Sequence, residues 1–500
     1  MKTIRNSIIA AVAALTGCTQ YLPSVGPNYE EPTFDIPSYD LPDAGLPTTN
    51  LTKTCEYQVS ESNADDRVVI SSDTIARWWE RFSDPVLENL VTSAVSNNIS
   101  FLIAQRRLEQ ANWELLGTYS AFLPKANFSG SWSHNVLRKN NSSLASSDIA
   151  SKRTRVTDLG FGADWEIDIF GGSRRATEAA IAAAEAAGWT VADAWISLTT
   201  QIGSQYVNLR TTQERIAVAR TNLVLQSETY DILKSRLDSG IGDELAVNQC
   251  AYIVEQTRAR IPTLLAEEEA LKNALAILAG DTPGALHEIL DEPKVPRDWL
   301  LAPQRVAELP LNMIRSRPDV KTYERKLAAQ VARIGVARAQ WFPKLYITGS
   351  VGVQSTHGNH LFEYGSIMSS FGPSISWPIF QAGAIYSSVK AEEAKTEQAF
   401  LDYQLAIENA YADVRNAYAA YTQEYHRYQA LQAAVKAATD AVTISKDLYK
   451  NGLKDFNNVL DAQRSRLTLE EELVISRGQI TQDLLTLYKA LGGGLATTQE

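Results

Sequence analysis

The chain has 500 residues, a formal net charge of −11, 45% hydrophobic residues and three cysteines. The acidic balance argues against a nucleic-acid partner, which favours a basic face; three cysteines without a CxxC pair indicate neither a disulfide framework nor a zinc ribbon. No apolar run approaches the roughly 18–20 residues of a membrane-spanning helix, which excludes a helical membrane protein but not a β-barrel, whose alternating strands keep mean hydropathy low.

Residues 1–17 read as a secretory signal. Lys2 and Arg5 are positive, Ile8 to Leu15 are apolar, and Leu15-Thr16-Gly17-Cys18 follows. Small residues before a cysteine resemble the bacterial lipoprotein signal, which implies cleavage before Cys18 and acylation of its thiol and new amino group. An ordinary signal with an incidental cysteine is the alternative. Acyl chains at roughly 0.8 kcal/mol per buried CH₂ make a stable anchor when two or three are present. Thr19 follows the cysteine where an aspartate would suggest inner-membrane retention, so the outer membrane is favoured. Residues 18–72 are expected to be this acylated, extended segment. Pro23, Pro27, Pro32, Pro37, Pro42 and Pro47 fix φ and remove donors along it. It is either a floppy linker or a strand laid along the folded body. Cys55 reads as a structural or free thiol.

A first structural unit is expected over 73–280. Asp84-Pro85 looks like a helix N-cap followed by proline at the first helical position. One helix should run to about Val95 and another from about Ile99 to Ser120. The period then changes to two, with strands expected at about 127–136 and 154–170. Leu159, Phe161, Ala163, Trp165, Ile167 and Ile169 share one face; Asp158, Gly160, Gly162, Asp164, Glu166 and Asp168 share the other. A membrane barrel would turn the first face to lipid and the acids to a wet lumen. After Gly171-Gly172 the helical period holds for about 67 residues, roughly 100 Å at 1.5 Å per residue. Ile202, Leu209, Ile216, Leu223, Tyr230 and Leu237 recur every seventh residue, the mark of a supercoiled seam. A tip at 240–243, with Gly240, Asp243 and Glu244, reverses the chain into a helix ending near Ala279, which Pro262 should kink.

Residues 281–318 are proline-rich and are expected to be an irregular equatorial segment. A second unit over 319–492 then echoes the first. Trp341-Phe342-Pro343-Lys344 answers Phe122-Leu123-Pro124-Lys125, and strands follow at about 345–355 and 367–380. A second seam runs through Val414, Tyr421, Tyr428, Val435, Val442 and Tyr449, and a second tip lies at 452–455. Gly240 maps to Gly452, Asp243 to Asp455 and Gly280 to Gly492, all 212 residues apart. One register held across strand, seam and turn indicates an internal duplication. Residues 493–500 are a C-terminal tail.

Four strands cannot close a barrel, and two open edges would invite pairing. Three copies give twelve strands, an allowed closed number. The expected fold class is therefore an α+β membrane protein: a homotrimer with a 12-stranded outer-membrane barrel, continued by a long helical barrel of coiled-coil hairpins.

Trp78-Trp79 with Phe82 and Asp84-Pro85, the paired Pro-Lys segments, Arg315-Ser316-Arg317-Pro318-Asp319-Val320, and Gly452 followed by Val459-Leu460-Asp461-Ala462-Gln463-Arg464 resemble the TolC-like outer-membrane efflux proteins. The likeness is to the OprM/NodT-type lipoprotein branch and covers nearly everything after Cys18. It implies an exit duct for drugs or other small toxic compounds, docked through its periplasmic tips to a membrane-fusion adaptor and an inner-membrane RND pump. It also implies a tip gate: a tyrosine before the turn glycine, a basic residue after it, and two aspartates three apart. Tyr449, Gly452, Lys454 and Asp461 match, while Asn458 replaces the first aspartate. Ala246 stands where some relatives carry an acid, and the resemblance leaves Asp243, Glu244 or Asp455 as candidates to substitute for it. Seam packing for Tyr449, helix opening for Asp455 and a solvated charge for Asp461 are the plainer alternatives.

No HExxH, GxSxG or P-loop is present, so an enzyme is not indicated. His357 and His360 in a loop are a weak metal candidate. No cofactor is expected beyond covalent lipid at Cys18, and no nucleic acid. A duct for type I protein secretion and a metal-cation efflux duct are the alternative functions.

Overall fold

The computed structural model describes residues 24–32, 77–137, 152–291, 314–356 and 360–493. Cys18, Cys55, His357, most of the N-terminal segment, residues 292–313 of the irregular segment and nearly all of the tail lie outside them. A short 3₁₀ turn, Trp78–Phe82, leads to α1 (Pro85–Asn97) and α2 (Ile99–Tyr119). Strands β1 (Lys125–Leu137) and β2 (Lys152–Ile167) follow, then α3 (Gly172–Asp238), α4 (Glu244–Ala279) and the short α5 (His287–Asp291). The second half runs α6 (Pro318–Ala339), β3 (Lys344–Ser355), β4 (Ile367–Ser376), α7 (Ala384–Lys450) and α8 (Phe456–Ala490). Both long helices, α3 and α7, have 67 residues. Among the described residues no helix is long and apolar enough to cross a membrane.

The chain divides into two compact units. Among the described residues, one holds 24–32, 107–137, 152–188, 322–356 and 360–404; the other holds 77–106, 189–291, 314–321 and 405–493.

The first unit contains the four strands, antiparallel in the order β1-β2-β3-β4. Phe128 lies opposite Phe161, Phe161 opposite Val351, and Val353 opposite Ile367. Phe128, Trp132, Phe161, Trp165, Ile347, Val351, Phe371 and Ile375 therefore share one face across the four strands, as the period of two requires. That face is open: Phe371 is 83% exposed and Trp132 66%. On the other face Lys344 pairs with Glu166 at 3.0 Å, and the Ser350 and Ser370 hydroxyls meet at 2.8 Å.

The strands end earlier than the alternation suggests. β2 stops at Ile167 because the Asp168 carboxylate accepts the Arg174 backbone N–H at 2.8 Å and opens α3. β4 stops at Ser376, which faces Lys344, the first residue of β3, so Trp377 to Phe380 have no strand left to pair with. The two halves anchor their second strands alike. The Trp165 indole donates to the Phe122 carbonyl and the Trp377 indole to the Trp341 carbonyl, both at 3.0 Å.

Residues 24–32 form a strap on this unit. The Val25 N–H donates to the Phe170 carbonyl at 3.1 Å. The buried Arg175 guanidinium donates to the carbonyls of Val25 and Gly26 and, at 2.7 Å, to the Asn28 side chain. Gly26 lies on Gly335, where a Cβ at residue 26 would fall 2.5 Å from the Gly335 Cα. Tyr29 packs on Ala182, Ala328 and Ala329, and burial pushes its hydroxyl pKa up.

In the second unit the seam positions Ile202, Leu209, Val414 and Tyr421 are buried in one core with Trp78, Leu87 and Tyr488. Asp84 caps α1 by accepting from the Val86 N–H at 2.9 Å. Its other carboxylate oxygen accepts from the Tyr206 hydroxyl, which in turn accepts from Arg210 at 3.0 Å. α4 stays helical on both sides of Pro262. The polar residues that open the two short helices play matching parts. Asn98 accepts from the Phe101 N–H and donates to the Leu278 carbonyl, both at 2.9 Å. Arg317 donates to the Ala490 carbonyl at 2.8 Å, and Leu278 and Ala490 are 212 residues apart. Each thus satisfies a carbonyl that a helix C-terminus leaves without a partner.

Candidate functional site

The second unit carries both helical reversals. α3 ends in a Schellman turn: Gly240 donates to the Leu237 carbonyl at 2.8 Å and Ile241 to the Arg236 carbonyl at 3.1 Å. α7 ends the same way, with Gly452 donating to Tyr449 at 3.0 Å and Leu453 to Leu448 at 2.9 Å. Gly240 has φ +74° and Gly452 φ +70°, the left-handed conformation that an L side chain adopts only at a cost. Every donor and acceptor in the first turn has its counterpart 212 residues on.

The two tips pack on each other through one apolar cluster. Leu233, Ala246, Val247, Cys250 and Ile253 from the first hairpin meet Phe456, Val459 and Leu460 from the second, with Tyr449 half-buried at its margin. The Tyr449 ring meets Phe456 edge-on at 5.1 Å, and the Arg236 guanidinium lies 5.4 Å from its centroid. The seam reading of Tyr449 is thus seen in the chain itself. Ala246 is 3% exposed, so an acid there would be sunk in apolar packing. Burial also pushes the Cys250 thiol up to about 11, which keeps it protonated.

The charged candidates and Asn458 lie outside the cluster. Lys454, Asp455, Asn458 and Asp461 are exposed, as are Asp243 and Glu244. Asp243 caps α4, accepting from the Leu245 N–H at 3.0 Å. Asp455 occupies the equivalent place before α8, but its side chain caps nothing. Its backbone carbonyl instead accepts from the Asn458 N–H and side-chain amide, each at 3.2 Å. Asn458 therefore uses a donor that an aspartate lacks. Among the described residues no ion pair reaches Lys454 or Asp461.

Two residues went unnoticed in the sequence. Ile241 is 71% exposed and Leu453 68%, each directly after its turn glycine. The duplication offset would have found them as a pair. His360 lies 2.5 Å from Glu363, and among the described residues no group of three or more His, Cys, Asp or Glu could hold a metal ion.

An antiparallel four-stranded sheet with an open apolar face, joined to two duplicated helical hairpins, defines an outer-membrane efflux channel. The chain belongs to the outer membrane efflux protein family, whose model matches residues 90–281 and 309–493, and within it to the OprM/NodT-type branch. Nodulation protein T of Rhizobium leguminosarum bv. viciae is 28% identical over 424 residues, 84% of this chain and 85% of that one. The cation efflux system protein CusC of Escherichia coli is 28% identical over 424 residues, 84% of this chain and 88% of that one. The solved outer-membrane channel OprN superposes with a TM-score of 0.79 at 27% identity, covering 94% of this chain and 99% of that one.

Proposed function

We propose that three copies of the chain form an exit duct that carries drugs or other small toxic compounds out of the periplasm through the outer membrane. An adaptor protein on the helical tips links the duct to an inner-membrane RND pump. The observation that carries this reading is the sheet itself. Its apolar face is exposed and both edge strands, β1 and β4, are unpaired, an arrangement that closes only with further copies in a membrane. The exposed Ile241 and Leu453 give the tips two apolar contacts for an adaptor. Three Asp461 side chains around a threefold axis would form a negative ring, and Tyr449 and Lys454 would complete the gate. Acylation at Cys18 would add the lipid anchor. No catalytic role is proposed.

The test is extraction of the native protein from outer membranes, followed by bilayer conductance and co-purification with an adaptor. A trimer that conducts and brings down an adaptor supports the reading; a non-conducting monomer overturns it. Loss of lipid labelling in Cys18→Ala checks the anchor, and persistence of the label refutes it. Metal-cation export is a second reading, supported by the likeness to CusC. Efflux assays with metal salts beside organic dyes separate the two.

A further inference from the structure

The apolar face of the sheet is bounded at both ends by tryptophan, a residue that gathers at membrane–water interfaces. At the end where α2 and α6 lead into β1 and β3, the Trp165 and Trp377 indoles are fixed to the Phe122 and Trp341 carbonyls. At the far end Trp132 is exposed, opposite Thr157. Phe128, Phe161, Val351 and Phe371 are exposed between the two levels. Trp165 and Thr157 are eight residues apart on β2. At about 3.4 Å per residue and a strand tilt of about 40°, that spacing is roughly 21 Å along a barrel axis.

Beyond Trp132 the same face turns basic. His134 lies opposite Arg155, and both are exposed. The His134 ring is 6.3 Å from that of Trp132. Arg155 is ten residues from Trp165. That puts it roughly 26 Å along the axis, against an apolar band about 25 Å tall. The guanidinium therefore stands at the rim of the band. β3 ends at Ser355, opposite Thr157, so at Arg155 the neighbouring strand is β1 alone. By the period of two, Asp158, Asp164 and Glu166 lie on the opposite face of β2. Among the described residues no ion pair or side-chain hydrogen bond engages His134 or Arg155.

The duplicated hairpin shows that strand pairing does not require this polar pair. Lys125 maps onto Lys344 and Trp165 onto Trp377. The same offsets carry His134 onto Val353 and Arg155 onto Ile367, which lie opposite each other in the second hairpin. The connecting sequences differ in the same sense. Residues 138–155 hold five Lys or Arg and one acid, while residues 356–366 hold one acid and no Lys or Arg. A chain of net charge −11 thus places a local excess of positive charge on one hairpin.

We propose that Arg155 and His134 form an outward-facing site for the phosphates of lipopolysaccharide, the phosphorylated glycolipid of the outer leaflet. This rests on the reading above, in which the apolar face meets lipid. The helices enter from the periplasmic side, so the far end of the sheet reaches the outer leaflet. A guanidinium there can grip a phosphate with two parallel N–H bonds, and an imidazole N–H adds a third. An unpaired cation at the rim of an apolar band meets its counter-charge in the headgroup layer. The site commits to lipopolysaccharide because its depth selects that leaflet.

The test uses the full-length protein extracted from outer membranes. Native mass spectrometry counts the lipopolysaccharide it retains. The delipidated protein is then titrated with purified lipopolysaccharide, with the same glycolipid after enzymatic dephosphorylation, and with phosphatidylglycerol. Arg155→Gln should weaken lipopolysaccharide binding about fivefold, Arg155→Glu should weaken it further, and Arg155→Lys should keep most of it. The wild type should prefer the phosphorylated glycolipid to both other lipids. Equal binding of the dephosphorylated form, or unchanged binding by Arg155→Gln, overturns the site. Equal binding of phosphatidylglycerol overturns the commitment to lipopolysaccharide and leaves a general anionic-lipid contact. If Arg155→Gln fails to assemble, the wild-type comparison of the three lipids decides alone. Bilayer conductance of the same samples separates the two readings. A conducting channel without the preference overturns this site only, whereas a non-conducting monomer overturns the duct.

Discussion

Gly452 and Gly478 are glycines for different reasons, and alanine at each tests a different force. Gly452 has φ +70° with nothing within 4 Å of its Cβ position, so the cost is conformational alone, on the order of 1 kcal/mol. Gly478 lies inside α8, and a Cβ there would fall 2.2 Å from the Thr211 Oγ1 on α3. Overpacking of that kind costs about 1–3 kcal/mol, partly offset by the better helix propensity of alanine. Gly452→Ala should therefore raise hydrogen exchange only around the tip, while Gly478→Ala should raise it along α3 and α8. Asn458 poses a third question. Asn458→Asp removes the amide donor to Asp455 and, in a trimer, adds a second acidic ring near Asp461. Reversal potentials across a salt gradient should shift towards cations and fall off at high salt. Identical potentials would remove residue 458 from the conduction path.

Among the elements, the join of the start of α6 to α7 and the end of α8 depends on one cation. Arg317 is 8% exposed and donates to Asp319 at 2.7 Å, to Asp413 at 3.2 Å and to the Ala490 carbonyl at 2.8 Å. Nearby, burial and then the charge of Asp319 push the Asp193 pKa up. Arg317→Met should cost about 1–3 kcal/mol, because it leaves the buried carbonyls of Ala410 and Ala490 without a donor; hydrogen exchange at the start of α6 and the end of α8 measures this. The α4–α5 contact should respond to pH. A hydrogen bond to Glu269 holds the His287 pKa above its ordinary 6.5, and the same bond holds Glu269 below its ordinary 4.5. The histidine's contribution is complete below pH 6.5 and lost as pH rises through the raised value. The glutamate's is complete above pH 4.5 and lost as pH falls through the lowered one. Exchange protection of α5 should thus be greatest between these limits and decline towards alkaline pH, and His287→Ala should abolish that decline. The helix ends were legible in the sequence because Gly240, Gly452 and Asp243 are turn chemistry written locally, whereas the Asp455 side chain caps nothing. The strand faces were legible because period two admits one solution. The ends of β2 and β4 were not, since they depend on Asp168 turning to Arg174 and on where β3 begins. Nor was the equivalence of Asn98 and Arg317, two unlike residues doing one job by different reach.

For the whole molecule, the duplication makes one chain a pair of similar halves, and the strap is where the pairing breaks. Gly335 leaves room for Val25 and Gly26 beside Arg175, and nothing in the repeat pattern predicts a groove there. In the sequence the same residues read only as a proline-spaced tether, either loose or laid along the body. The contacts of residues 24–32 settle that for this stretch. Ser24, the first described residue of the strap, lies six positions after Cys18. Fully extended, six residues reach at most about 20 Å. A lipid on Cys18, as proposed above, would then be on a short leash pegged beside the end of β2, whatever path the intervening chain takes. Such a leash sets depth as well as attachment, since slack is what lets an anchor drift from the object it moors. Ten glycine-serine residues inserted after Thr19 should leave lipid labelling intact but slow barrel insertion, and Arg175→Met, which unpegs the strap, should do the same. Insertion followed by heat-modifiable mobility on gels would show it, and unchanged insertion in both variants would make the leash length immaterial.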